Sequence, residues 1–414
     1  MSEDVKKESD SPWVLVAEGF HRRGGMDKAN AALAHYLASE GKLVHLVAFT
    51  VDAEIAALPG VAATYAAMPA HSSFLGRFYL KRLGHRIARR ISQQFADTRV
   101  VVNGTNCNWP DINWVHWVHH CWDRCDPEAP LWFKLKNRLD ASRSLRAERT
   151  WFAKSRLLLA NSERTRRDLI NLLGIEPQRA HTIYLGSDSE WRKLTPESRK
   201  AAREWLGVGQ QRPLVAFVGA LGYDSRKGFD TLWRAWTSLC RRSDWDADLV
   251  VAGGGGALGQ WRIAAERAGL EGRVRFLGFT ERIAEVLAAS DLLVSPVRYE
   301  SYGLNVQEAF CFGVPSIVSA SAGIAERFSP DISDLLLPDP DDYNDLAARM
   351  IRWKSDIAGW RLRIIPITQM LRAYTWEDMA RRIVSLAEQR NGSSRGRYPQ
   401  KSPESAITSG AGYV

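Results

Sequence analysis

Residues 299–315 read Tyr-Glu-Ser-Tyr-Gly-Leu-Asn-Val-Gln-Glu-Ala-Phe-Cys-Phe-Gly-Val-Pro. An apolar run, Asp291-Leu-Leu-Val-Ser-Pro296, precedes this segment, and another, Ser316-Ile-Val-Ser319, follows it. Two short apolar runs around an Ala/Phe-rich stretch predict strand, loop, helix and strand. Gly303 permits a sharp turn at the helix start, and Gly313-Val-Pro315 stops the helix. Glu300 then falls on the loop and Glu308 about one turn into the helix, so both carboxylates border one cleft.

The N–H groups of Gly303, Leu304 and Asn305, at the start of that helix, form an anion site. A carboxylate beside a bound phosphate repels it, so the two acids are better suited to accept hydrogen bonds from hydroxyls. One carboxylate can take both hydroxyls of a vicinal diol. A loop acid for a sugar, a helix acid for a ribose and backbone donors between them describe a nucleotide-sugar site. The plain alternative is a pair of solvated acids beside an ordinary β-α-β crossover.

The arrangement Glu300-x-Tyr302-Gly303-x4-Glu308-Ala309-x3-Gly313-x-Pro315 resembles that of the family 4 retaining glycosyltransferases, a GT-B group. The likeness runs over most of residues 13–385. It implies an α/β fold of two Rossmann-like domains facing each other across a cleft. The domains expected are 12–190, on the acceptor side, and 212–373, holding the nucleotide-sugar. A helix over 374–390 would cross back to the first domain, and 391–414 form a disordered tail. The resemblance also implies retaining, metal-independent hexosyl transfer from a nucleotide diphosphate sugar, with no cofactor and no metal ligands. Glu300 would bind sugar hydroxyls, Glu308 the ribose, and Tyr302, Gly303, Leu304 and Asn305 the rest of the donor.

Composition is compatible with this. A chain of 414 residues with 45% hydrophobic and 25% charged residues is ordinary for two or three globular domains. Five irregularly spaced cysteines make no disulfide scaffold and favour a reducing compartment. The first apolar run, Trp13–Ala17, is cut short by Glu18, and no run reaches about 18 apolar residues, so a cytoplasmic location is expected. A net charge of +9 suits a phosphorylated substrate, an anionic membrane face or nucleic acid alike. The basic segments carry no nucleic-acid recognition motif, and no such partner is expected.

Along the first domain, Trp13–Ala17 reads as a buried strand, residues 18–25 as a loop, 30–39 as a helix and 43–49 as a strand. The loop lacks a full Gly-x-Gly-x-x-Gly fingerprint, but the resemblance places Gly24 and Gly25 against the donor diphosphate. Residues 77–94 interleave Arg77, Lys81, Arg82, Arg86, Arg89 and Arg90 with apolar residues at helical spacing. That pattern is a solvated cationic face, or a basic amphipathic helix lying on an anionic membrane as in several GT-B enzymes. A second basic stretch covers 131–156. Between them, the strand end at 116–120 carries His116, His119 and His120, and the resemblance puts one imidazole near the donor sugar, His119 first and His116 second. His119, His120, Cys121 and Cys125 fit no standard zinc spacing, and adjacent side chains on a strand diverge.

Residues 189–212, charged and bounded by Pro196 and Pro213, read as an interdomain hinge. In the second domain, the loop 220–228 carries Lys227, which the resemblance assigns to the donor phosphates. Its usual arginine partner is replaced by Ala220, leaving the adjacent Arg226 as a substitute. Two other readings share this architecture: a sugar-nucleotide epimerase, and an inactive relic serving as a scaffold. The acceptor expected is a glycan or a lipid-linked hydroxyl compound.

Overall fold

The computed structural model describes residues 11–69, 72–122, 129–188 and 195–389. The apolar runs become two parallel sheets. The first contains β1 (Trp13–Val16), β3 (Val44–Ala48), β5 (Val61–Tyr65), β6 (Arg99–Asn103), β7 (Ile112–Val115), β8 (Leu157–Ala160) and β9 (Ala180–Thr182), in the order β5-β3-β1-β6-β7-β8-β9. A separate small parallel pair, β2 (Gly19–Phe20) with β4 (Thr50–Val51), follows the carboxyl ends of β1 and β3. The second sheet contains β10 (Leu214–Val218), β11 (Asp248–Ala252), β12 (Val274–Gly278), β13 (Leu292–Ser295), β14 (Ser316–Ser319) and β15 (Leu336–Leu337), in the order β12-β11-β10-β13-β14-β15. The continuous apolar runs of β1, β7, β8, β11, β13 and β14 are buried on both faces, as central parallel strands covered by helices must be.

The strand order positions the site. In each sheet the direction of winding reverses beside the first strand, between β1 and β6 and between β10 and β13. Loops leaving the carboxyl ends of strands at such a point diverge and open a crevice. Loop 219–228 leaves β10 and loop 296–303 leaves β13, so Lys227 and Glu300 are set on opposite lips of one crevice.

One segment differs from the sequence reading. The expected hinge at 189–212 contains a helix, Pro196–Leu206, closed by a capping box between Thr195 and Ser198. Two of its arginines are committed to the second domain: Arg199 and Arg203 reach Asp291 at 2.6 and 3.3 Å, and Arg361 joins them at 2.6 Å. Asp291 also accepts the Leu214 N–H at 2.9 Å, so this cluster staples helix, β10 and β13 together. A charged composition read as linker is here a buried ion network. Residues 189–194 and the tail from 390 lie outside the described residues.

The last helix, Trp376–Gln389, does cross back. Ser187 N–H bonds to Tyr374 O at 2.9 Å, and Met379, Ala380, Ile383 and Ala387 are buried in the core cluster shared with helix Gly25–Ser39. Thr375, just before this helix, donates two hydrogen bonds to the Asp378 carboxylate and receives the Asp378 N–H at 3.2 Å. Among the described residues, no helix is long and apolar enough to cross a membrane.

Candidate active site

Helix Leu304–Cys311 begins where the sequence placed it. Gly303 precedes it at φ 111°, and a Cβ there would lie 2.9 Å from Ile324 Cγ2, so the turn requires glycine. The helix N-terminus faces that of helix Gly25–Ser39 across the crevice. A Cβ on Gly25 would stand 3.2 Å from Leu304 Cδ2, so the Gly25 main chain packs against the Leu304 side chain of the other domain here. Asn305 anchors the helix, donating its side-chain amide to Val218 O at 2.9 Å.

Glu300 is 15% exposed and ion-paired to Lys227 Nζ, with Arg226 Nη1 at 3.9 Å on the same oxygen. Burial pulls its carboxyl up, but the charges of Lys227 and Arg226 outweigh burial and hold it below the usual range. The two neighbouring cations therefore do converge. Arg226 lies over the Trp117 ring at 4.4 Å and donates to Tyr299 O at 3.4 Å. Loop 219–228 is itself held by Arg298, whose N–H donates to Arg226 O at 2.9 Å and whose guanidinium donates to Ser225 O and is anchored on Asp230 at 2.7 and 2.6 Å and Asp341 at 2.6 Å. Ala220, at the position lacking the arginine, is exposed.

Glu308 is 16% exposed and lies 3.2 Å from Lys28 of the first domain. Burial pushes its carboxyl up, with Lys28 opposing. Each carboxylate assigned to donor hydroxyls thus has a cation of its own.

Tyr302 is a correction. Its side chain is 1% exposed, its hydroxyl donates to Gln307 Oε1, and burial pushes the phenol well up. Gln307 in turn donates to Gly186 O at 2.6 Å. Tyr302 therefore supports the joint between the domains rather than presenting a group to the cleft. The histidines are also rearranged. The strand ends at Val115, and His119–Cys121 form a 3-10 turn in which both imidazoles converge on one carboxylate instead of diverging. Nδ1 of His119 and Nδ1 of His120 each lie 2.7 Å from an oxygen of Glu148, which is fully buried on helix Leu131–Trp151. Burial draws the Glu148 carboxyl up, but the His119 and His120 bonds bring it net below its ordinary value. His116, ranked second by sequence, keeps a buried Nε2 without a hydrogen-bond partner among the described residues, and burial pushes its pKa down to about 3. It is a neutral imidazole able to bond a hydroxyl. Cys125, the remaining member of that group, lies outside the described residues.

The domain joint itself was missed. Ser301 donates to His116 O at 2.6 Å and accepts from Asn161 Nδ2 at 3.2 Å, while Ser162 donates to Ser301 O at 2.6 Å. Tyr299 OH accepts the Val118 N–H at 3.0 Å. The available signal was the Asn-Ser ending the strand that becomes β8.

Two parallel-sheet α/β domains with strand-end loops facing across a crevice define the GT-B architecture. Solved structures agree: a sucrose-phosphate synthase from Thermosynechococcus elongatus superposes with a TM-score of 0.72 at 19% identity, covering 93% of this chain and 100% of that one. WaaG, a glycosyltransferase involved in lipopolysaccharide biosynthesis, gives 0.69 at 20% identity over 90% and 99%. Family models for Glycosyltransferase Family 4 and for Glycosyl transferases group 1 match residues 23–191 and 212–356, between them most of the chain. The chain belongs to the family 4 glycosyltransferases. A D-inositol 3-phosphate glycosyltransferase of Catenulispora acidiphila is 31% identical over 206 residues, 47% of each chain. The mannosylfructose-phosphate synthase of Agrobacterium fabrum is 27% identical over 234 residues, 54% of this chain and 50% of that one. The chain spans about half the length of the curated relatives it matches.

Proposed function

We propose that this protein is a metal-independent, retaining hexosyltransferase moving a sugar from a nucleotide diphosphate sugar to a hydroxyl of a glycan or lipid-linked acceptor. The observation that supports this most is the pair Glu300 and Glu308 in one crevice, each balanced by a cation. In this reading Glu308 accepts the ribose hydroxyls and Glu300 the sugar hydroxyls. Lys227, with Arg226 in place of the arginine missing at 220, faces the diphosphate. Helix N–H groups at Gly303–Asn305 and the Gly24-Gly25 turn add donors to it. As the bond from the anomeric carbon to the phosphate oxygen breaks, these groups stabilise the growing negative charge. The acceptor oxygen bonds the same face of that carbon, and its proton passes to the departing phosphate oxygen. One imidazole, His119 first and His116 second, hydrogen-bonds a sugar hydroxyl beside the reacting carbon, and Glu148 fixes the His119 ring through Nδ1.

Among the relatives of like fold, HepE of Anabaena has been solved with UDP and glucose, which supports a nucleotide donor. A product assay in EDTA tests the reading. With a donor of α configuration and a mixed sugar and lipid acceptor pool, release of nucleoside diphosphate and an α-linked product are expected. A β-linked product, or activity lost to EDTA and restored by a divalent ion, would contradict retention or metal independence. An epimerised free nucleotide sugar would favour the epimerase reading.

Peripheral contact with an anionic membrane on the cytoplasmic side is supported by a ridge beside the crevice. Leu75, Phe78 and Tyr79 on helix Ser73–Gln94 are 48, 57 and 46% exposed, and Leu131, Trp132 and Leu135 on helix Leu131–Trp151 are 82, 64 and 63% exposed. Arg77 and Asp140, 3.1 Å apart, tie the two helices together, and Arg82, Arg86, Lys134 and Arg138 surround the apolar tips. Phe133 meets Tyr223 of the phosphate loop at 5.3 Å, so the ridge runs to the mouth of the crevice. Each basic residue near an anionic surface adds about 1 kcal/mol. The protein is expected to sediment with phosphatidylglycerol vesicles and not with phosphatidylcholine. Phe78→Asp with Trp132→Asp should cut that binding about tenfold or more. Equal sedimentation of wild type and variant would remove this surface from the account.

A further inference from the structure

Lys28 lies in the first turn of helix Gly25–Ser39, yet its ammonium serves two carboxylates on other elements. Nζ is 3.2 Å from Glu308 Oε1 across the crevice and 2.5 Å from Asp188 Oδ2 at the end of the first domain. Asp188 is fixed in turn, accepting the Trp376 indole N–H at 2.7 Å, and Nζ stands 5.8 Å from the centre of that ring. The chain of contacts therefore runs from the returning C-terminal helix through Asp188 and Lys28 to Glu308. Lys28 is 17% exposed, so its charge is little shared with solvent. Burial alone would pull its ammonium down, but Glu308 and Asp188 outweigh burial and raise it. A cation held that firmly in place restricts how the Glu308 carboxylate can turn.

We propose that Lys28 is a positioning residue for donor binding: reaching from the first domain, it fixes one oxygen of Glu308 so that the remaining lone pairs of that carboxylate meet the vicinal hydroxyls of the donor's ribose. An ionised carboxylate has about four acceptor sites, and one ammonium leaves room for a diol. Because the two residues stand on opposite domains, the ribose is read fully only when the domains are closed. This inference rests on the assignment of Glu308 to the ribose.

The test is calorimetric binding of UDP, ADP and GDP and of their 2′-deoxy forms to wild type, Lys28→Met, Lys28→Arg and Glu308→Gln. Met keeps the length and loses the charge, Arg keeps the charge, and thermal unfolding of each variant confirms that it is folded. For the nucleotide that wild type selects, the ribo form should bind about tenfold or more tighter than the deoxy form. Lys28→Met should reduce that ratio to about threefold or less, Lys28→Arg should restore most of it, and Glu308→Gln should abolish it. If Lys28→Met weakens both forms equally, or leaves the ratio unchanged while Glu308→Gln abolishes it, the positioning role is overturned and the site reading stands. If Glu308→Gln keeps the full ratio, the ribose assignment itself falls, and the role of Lys28 falls with it. No binding of any nucleotide to wild type overturns both.

Discussion

Lys227→Ala is expected to lower turnover by about 10²- to 10³-fold, the usual loss when one preorganised donor to a developing oxyanion is removed. The ammonium stands on the loop after β10 and is ion-paired with Glu300. In the proposed function, arriving donor would exchange these partners, placing phosphate against Lys227 and a sugar hydroxyl against Glu300. Removing the lysine has a second consequence for folding. Glu300 titrates below its ordinary value in the folded protein, so its pairing adds stability that is present above the unfolded pKa and lost as pH falls through the folded one. Lys227→Ala removes that gain at neutral pH and leaves a buried carboxylate with only Arg226 at 3.9 Å. The double variant Lys227→Met/Glu300→Gln should therefore recover much of the lost Tm without recovering turnover. Recovery of both would mean that Lys227 serves only to neutralise Glu300.

Glu308→Ala is expected to raise the KM for donor about 10²-fold, since two charge-assisted hydrogen bonds to the ribose are lost at about 1.5 kcal/mol or more each. The carboxylate lies on the second turn of its helix, away from the phosphate loop, and touches Lys28 rather than Lys227. Its effect should fall on binding, with kcat at saturating donor within a few-fold of wild type. A collapse of kcat with KM unchanged would place Glu308 at the reacting centre and contradict the ribose role.

The segment 299–315 was legible because its information is local. Strand periodicity, Gly303 at the turn and Gly313-Val-Pro315 at the stop all act within a few residues, and the two acids follow from their places on that frame. Lys227 was singled out by the family resemblance, as the lysine before the glycine that opens a helix. The partners were not. Lys28 meets Glu308 across 280 residues, and nothing in either neighbourhood marks the pairing. Glu148 looked like one acid in a cationic helix, yet it is wholly buried beneath two imidazoles. The segment 196–206 reads as linker by charge, and only the convergence of Arg199, Arg203 and Arg361 on Asp291 makes it part of the second domain. Tyr302 illustrates the opposite error: a residue within the motif points inward, because Gln307 five positions later captures its hydroxyl.

The crevice as a nucleotide-sugar site is tested most directly by a calorimetric screen of the wild-type protein against UDP, GDP, ADP and their common sugars, repeated with Glu308→Ala. One nucleotide should bind selectively, with its sugar conjugate at least as tight, and the variant should lose about 10²-fold in affinity for it. Absence of binding to every nucleotide at both low and high salt, or binding untouched by Glu308→Ala, would contradict the assignment and return the scaffold reading to first place.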